Sequence, residues 1–378
     1  MSSKPPIEVA RISRARRAFF SLLLMLFGMA AVLAGTELLL RRHRLSIEKS
    51  NRLDPGLVRY DGQLGWRLSP NWQGRHRHYD FNVRYSTNAY GFRGDFDTPP
   101  GRGGHRYAVV GDSFTFGLGV NDGETFVSRM NMLSKGCDRY LNFGVPGFST
   151  DQEYLLLQQR VFDFSPDGIL LITYLGNDLF DNQLAFPLQA RHGKPYFTLT
   201  DGRLVLENVP VPMVEKPLRP ALPGLRNMVL GDEPVSLGSR MEGSEIVQLV
   251  RRGILGDSQR RDLFPQFKNR FGPALKLYEA LLVRIRSVCR AHGVGLVVVL
   301  MPGQSFVERP GSVSAQFQDY FRAQILRMAA RLGIEAIDVA QLLRDHAGGK
   351  ALFYPHEGHL TGAGNLAVAE IIKVTWVR

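Results

Sequence analysis

The stretch VVGDSFTFGLGV, residues 109–120, decides the reading of this 378-residue chain. It closes RYAVV (106–110), an unbroken apolar run of the kind found in a strand covered on both faces. Gly111, Asp112 and Ser113 end the run, and a glycine-rich turn leads to a helical pattern near 124–134. Ser113 is thereby expected at the C-terminal end of the first sheet strand, where open α/β sheets hold their ligands. A serine so placed can offer both its hydroxyl and its own backbone N–H to a carbonyl, as an acyl-transfer nucleophile must. The plainer alternative is a strand-to-helix turn in which the serine is only a cap.

The same rhythm continues outward. Residues 140–143 read as a short strand, 151–161 as a helix capped by Thr150, and GILLITYL (168–175) as a buried strand. A helix near 274–291, the strand VGLVVVL (294–300), a helix near 314–332, the strand IEAIDV (334–339) and a last helix over 361–374 follow. Strands alternating with helices predict a parallel sheet wrapped on both faces, and five strands suit a three-layer, flavodoxin-like order. The rhythm breaks between about 180 and 272. There KPYFTLTDGRLVLENVPVP (194–212) reads as a hairpin turning at Asp201-Gly202, inside a long insertion expected to lie over the site as a lid. Upstream, residues 54–104 are rich in Trp, Tyr, Arg, Asn and Gly and read as a small β-rich region, joined to what precedes it by a basic connector over 41–53.

Before that lies AFFSLLLMLFGMAAVLAGTELLL (18–40), long enough for roughly 34 Å of helix, with Glu37 its one charge. Basic residues precede it, which places a cytoplasmic tail at 1–17 and the rest of the chain outside the cytoplasm, as suits a single-pass protein of a bacterial inner membrane with its catalytic domain in the periplasm. A retained signal-anchor is favoured over a cleaved signal peptide, because the apolar run passes the small-residue site before Gly35. A buried soluble helix is the remaining alternative. The formal net charge is +12, from 47 Lys and Arg against 35 Asp and Glu, and residues 1–52 alone hold ten bases and three acids. Basicity that flanks an apolar segment points to a membrane surface, and no nucleic-acid-binding pattern accompanies it. A disordered chain and a polytopic membrane protein are excluded by composition. Cys137 and Cys289 match no metal spacing, and two buried free thiols are favoured over a disulfide.

Three further segments accompany Ser113. NFGVPGFST (142–150) ends the second strand with Gly147, TYLGNDLFDN (173–182) ends the third with Asn177, and HEGHLTGAGNLAVAE (356–370) puts His359 just before the last helix. This ordered set resembles the SGNH/GDSL hydrolase family over roughly residues 106–178 and 275–375. The resemblance implies that Ser113 is the nucleophile and His359 the general base. It also implies an oxyanion hole formed by the Ser113 and Gly147 N–H groups with the Asn177 side chain. The family's usual acid stands three residues before the histidine, where this chain has His356. Glu357, two residues before His359, is the nearest carboxylate and resembles the Asp-x-His arrangement of alginate O-acetyltransferase-like relatives; another acid, or none, is the alternative.

Other features take bland readings. GQSF (303–306) is read as a loop, HEGH lacks the i, i+4 spacing of a helical zinc motif, and His76 and His78 are read as a solvated edge strand rather than metal ligands. Trp66 and Trp72 are read as packing rather than sugar-stacking residues. No cofactor or metal is expected. The resulting expectation is a membrane-anchored serine esterase that cleaves an O-acyl ester on a glycan or lipid through an acyl-enzyme. An O-acetyltransferase passing the acyl group to a cell-envelope or secreted polysaccharide is the first alternative, and a catalytically weakened binding or assembly protein the second.

Overall fold

The computed structural model describes residues 14–187, 192–214, 271–346 and 351–376. Most of the expected insertion, with its lid reading, lies outside the described residues.

Helix α1 (Arg14–Ser50) is one continuous helix, so residues 41–50 extend it instead of forming a connector. The residues RRHRLSIEKS contain neither Gly nor Pro and have no reason to stop it. Its stretch Arg16–His43, which contains an 18-residue window of mean hydropathy 2.3, is the one helix among the described residues long and apolar enough to cross a membrane. Glu37, the only charge within 18–40, pairs with Arg41 one turn on, at 2.6 Å.

From Ser50 onward the described residues belong to one compact unit. Five short strands open it: β1 (Arg52–Leu53), β2 (Val58–Asp61), β3 (Gly65–Leu68), β4 (Gln73–Arg77) and β5 (Asn82–Ser86). β1, β4 and β5 form an antiparallel sheet with β4 in the middle, and β2 pairs with β3. Trp66, Val83 and Tyr85 from these strands are buried in the same core as the main sheet.

That sheet consists of β6 (Arg106–Gly111), β7 (Arg139–Gly144), β8 (Gly168–Tyr174), β11 (Gly295–Met301) and β12 (Glu335–Ile337), in the spatial order β12-β11-β8-β6-β7 and parallel throughout. Counted along the chain this is the 2-1-3-4-5 order of a flavodoxin-like sheet, with the expected three layers. The β-strand residues Ala108–Val110 and Ile169–Ile172 are wholly buried, which explains their unbroken apolar runs. Between β8 and β11 stands the antiparallel hairpin β9 (Tyr196–Thr200) and β10 (Arg203–Glu207), turning at Asp201-Gly202.

Helix α2 (Ser113–Phe116) is a single turn after β6, and α3 (Phe126–Leu133) follows it. Next come α4 (Thr150–Gln159), α5 (Asp178–Asp181), α6 (Gly272–Ala291), α7 (Val313–Leu332) and α8 (Gly362–Thr375). α3 packs on α8, while α4 packs on α6 and α6 on α7. The cap position of α4 is Ser149, not Thr150, because Thr150 already has helical backbone. The strand expected to run to 339 stops at Ile337, and Val339–His346 is a helix whose apolar positions recur at helical spacing. Cys289 is buried as expected, but Cys137 is exposed on the turn before β7; both are free.

Candidate active site

The turn that carries Ser113 is built by close approach. Asp112 caps α2, its carboxylate accepting the Phe114 N–H at 2.9 Å. The turn then lies against the end of β7, where a Cβ on Gly144 would fall 2.1 Å from the Phe116 nitrogen, so only glycine fits there. Asn142 on β7 secures the contact by donating to the Thr115 carbonyl at 2.8 Å. Ser113 is thereby held at the C-terminal end of β6, the strand between β7 and β8.

His359 comes from the loop before α8, and its Nε2 lies 2.7 Å from Ser113 Oγ. Its Nδ1 lies 2.8 Å from both Glu357 carboxylate oxygens, one of which also accepts the His359 backbone N–H at 3.0 Å. A carboxylate can only accept, so Nδ1 carries the proton and Nε2 is free to accept the Ser113 hydroxyl proton. The Phe114 ring packs at 4.5 Å from the imidazole and confines it from one side. Burial pulls the His359 pKa down, but the charge and hydrogen bond of Glu357, helped by Asp112, outweigh it and hold the pKa above the ordinary value. His356 is not part of this line. Its Nδ1 donates to Asp80 at 2.6 Å.

The three expected oxyanion donors sit at the ends of adjacent strands: Ser113 after β6, Gly147 after β7 and Asn177 after β8. Gly147 has φ +81°, a backbone that side chains disfavour. Trp66 props its loop by donating from Nε1 to the Pro146 carbonyl at 3.0 Å, so this tryptophan is packing, as expected. Asn177 Nδ2 donates one proton to Asp181 at 2.7 Å; an amide nitrogen has a second proton to give. The two loops are tied together, since Asn182 accepts the Asp151 N–H at 3.0 Å. Asp151 is wholly buried and paired with an equally buried Lys194 from the start of the hairpin segment.

Acids also cluster beneath the site. Burial pushes Asp112 up to about 6, against the pull of His359. Burial pushes Glu153 and Asp178 well above the carboxylate range, and neither Glu153 oxygen has a hydrogen-bond partner. Their environment favours the neutral form.

Several supporting residues escaped the sequence reading. Arg93 is 1% exposed, and its guanidinium donates to the carbonyls of Phe116 (2.9 Å), Gly117 (2.7 Å) and Val120 (2.9 Å) and to Asp122 (2.6 Å). It thus grips the glycine-rich turn from outside. His76 is buried rather than solvated, because β4 is a central strand and not an edge. Burial lowers its pKa to about 4, so it is neutral. Its Nδ1 accepts from Tyr85 (2.9 Å), whose oxygen accepts the Gly119 N–H (2.8 Å), and its Nε2 donates to Asn51 (2.7 Å). His78 stacks on Phe81, and its Nδ1 accepts the Asp80 N–H at 3.2 Å. The GQSF segment is a short helix, Gln304–Glu308, and not a loop; Ser305 is spent on Ser314 and Gln318. Among these supports only the Gly-Phe-Arg-Gly sequence around Arg93, with glycines on both sides of a lone arginine, offered a local signal.

The model of the GDSL-like lipase/acylhydrolase family matches residues 109–367. No curated protein matches the chain. Among solved structures, the chain is similar to an α/β hydrolase from the metagenome of Lake Arreo, Spain, at 14% identity and a TM-score of 0.42, over 72% of this chain and 94% of that one. A catalytic mutant of an acetylxylan esterase from Geobacillus stearothermophilus gives 12% identity and a TM-score of 0.41, over 74% and 99% respectively. A putative lipolytic protein of the G-D-S-L family from Desulfitobacterium hafniense gives 12% and 0.38, over 72% and 99%.

Proposed function

The chain belongs to the GDSL-like lipase/acylhydrolase family and is a serine esterase, and we propose that Ser113, His359 and Glu357 carry its reaction. The observation that supports this most is the unbroken hydrogen-bonded line from Glu357 through His359 to Ser113, at 2.8 and 2.7 Å. Ser113 Oγ attacks the ester carbonyl as His359 Nε2 takes its proton. Glu357 stabilises the imidazolium so formed. The carbonyl oxygen becomes an oxyanion, facing the N–H groups of Ser113 and Gly147 and the free amide proton of Asn177. Collapse of the intermediate breaks the ester bond, and the departing alcohol takes the proton from His359. Water then attacks the acyl carbon as His359 removes its proton, and the Oγ–carbon bond breaks as His359 returns that proton to Ser113 Oγ, releasing the acid.

The ester is an O-acyl group on a glycan or a lipid. Residues 18–40 anchor the chain in a bacterial inner membrane, with the catalytic domain on the periplasmic side; the length and hydropathy of α1 support this reading. The test is hydrolysis of p-nitrophenyl acetate and of acetylated oligosaccharides by the full chain in detergent, beside Ser113→Ala. Turnover lost in the variant is expected, and equal turnover in the two proteins overturns the assignment. Free acetate without acetylated product, when unmodified oligosaccharide is added, counts for hydrolysis over transfer.

A further inference from the structure

The loop that carries Glu357 and His359 is held at its base by its own backbone. Phe353 and Leu360 form an antiparallel bridge, the Tyr354 N–H donates to the His359 carbonyl at 2.8 Å, and the Gly358 N–H donates to the Tyr354 carbonyl at 3.0 Å. Its tip is held from elsewhere. Asp80, on the turn between β4 and β5, accepts the N–H groups of both His356 and Glu357 at one carboxylate oxygen, each at 2.9 Å. Its other oxygen accepts the His356 Nδ1–H at 2.6 Å. The Asp80 side chain is only 4% exposed, so water competes poorly for these bonds.

Glu357 grips His359 at two points, Nδ1 and the backbone N–H. A glutamate side chain turns about several single bonds, so where its carboxylate lands depends on where its backbone is fixed. Among the described residues, the one group outside the loop that bonds the Glu357 N–H is Asp80. We propose that Asp80 is a positioning residue for the reaction: it fixes the backbone of Glu357 and, through Glu357, the imidazole that serves Ser113. This rests on the assignment of Ser113 and His359 made above.

The two Asp80 oxygens do different work, which makes the proposal testable by substitution. In Asp80→Asn the amide oxygen can still accept both backbone N–H groups, and the charge is gone. In Asp80→Ala the acceptor itself is gone. The readout is the rate at which a fluorescent fluorophosphonate labels Ser113 in the full chain, with fluoride as the leaving group. No acyl substrate is needed, so the unidentified natural ester does not enter.

Asp80→Ala is expected to slow labelling by about a hundredfold, the cost of misplacing a catalytic group by roughly an ångström. It should also move the acid limb of the pH profile to lower pH, as is expected of Glu357→Gln, since the Glu357 carboxylate is what holds the His359 pKa up. Asp112 and His76, the other titratable groups that face His359, are unchanged in every variant. Asp80→Asn should keep most of the rate and the wild-type acid limb, which separates backbone anchoring from a direct effect of the Asp80 charge. His356→Ala, which leaves the two backbone bonds in place, should label like wild type. Added to Glu357→Gln, Asp80→Ala should cost nothing further, since residues that act as a unit are not additive. Wild-type labelling by Asp80→Ala, equal loss in the Asn and Ala variants, or an additive loss in the double variant each overturns the proposal. If Asp80→Ala does not fold, Asp80→Ser leaves room for a water in the vacated space, is also too short to reach the loop, and must meet the same criteria. Labelling that persists in Ser113→Ala overturns the assignment of Ser113 and this proposal with it; labelling lost there but intact in Asp80→Ala overturns this proposal alone.

Discussion

Replacing Glu357 by Gln keeps the size of the side chain and removes its charge. The carboxylate lies 2.8 Å from His359 Nδ1, with both side chains 14% exposed. With charge centres roughly 4 Å apart and an effective dielectric of about 20, the imidazolium formed during attack loses about 4 kcal/mol of stabilisation, or about a thousandfold in rate. A glutamine also holds the imidazole less firmly in the tautomer that leaves Nε2 free, which adds to the loss. Because the charge matters only once His359 is protonated, the loss should fall on kcat, with KM little changed. The pH profile carries a second signature. Glu357 holds the His359 pKa above its ordinary value, and burial opposes it. Without the charge, burial prevails and the pKa falls. His359 must be unprotonated to act as a base, so the acid limb of kcat/KM should move to lower pH even as the maximum falls. Steady-state hydrolysis from pH 5 to 9 reads both. Retention of kcat within about fivefold, or an acid limb that does not move, would refute the role given to Glu357. Shortening Glu357 to Asp should also lower kcat, because the loop is set for the longer side chain and an aspartate falls short of Nδ1 by about one carbon–carbon bond.

Two further predictions concern stability. Arg93→Met removes the shared donor of three turn carbonyls and a bond to Asp122, and should destabilise the protein by about 3–5 kcal/mol in urea unfolding. Arg93→Lys should not restore it, because one ammonium cannot span acceptors spread around a planar fork; a Lys variant as stable as wild type would defeat that account. Glu153 is favoured in its neutral form, so the stability it allows is present below the ordinary glutamate pKa and is lost as pH rises through its raised value. Glu153→Met should therefore raise stability by about 1–3 kcal/mol at pH 8 and by less at pH 4. A variant that melts below wild type at pH 8 would show that the carboxyl is satisfied in a way the structure does not record.

The sheet was legible because its strands are buried on both faces and read as apolar runs, as Val109 and Val110 or Ile169–Ile172 illustrate. The serine, glycine, asparagine and histidine of the site were legible because each follows such a strand or precedes the last helix, and because they occur as an ordered set. Glu357 was legible only through its place two residues before His359. Asp80 and Tyr85 were not legible, and Arg93 showed only as a lone arginine among glycines, with nothing to say what it grips. Each acts across more than twenty residues of sequence on a backbone group of another loop, and a backbone group leaves no trace in residue type. His76 misled for a related reason. The polar run RHRHYD around it suggested a solvated edge, whereas its ring is satisfied inside the fold by Tyr85 and Asn51.

The clamp between Asp80 and Glu357 joins residues 277 positions apart in the chain. A contact that distant must close a long loop before it gives any stability, and a fold that depends on such contacts is reached slowly. An intermediate in which the sheet has formed but the β4–β5 turn has not yet met the loop before α8 would hold Ser113 at the end of its strand with no aligned base. Its serine would then be chemically ordinary. Competence is in this sense a late event of folding, and recovery of fluorophosphonate reactivity should lag behind recovery of secondary structure when the denatured chain is returned to native conditions.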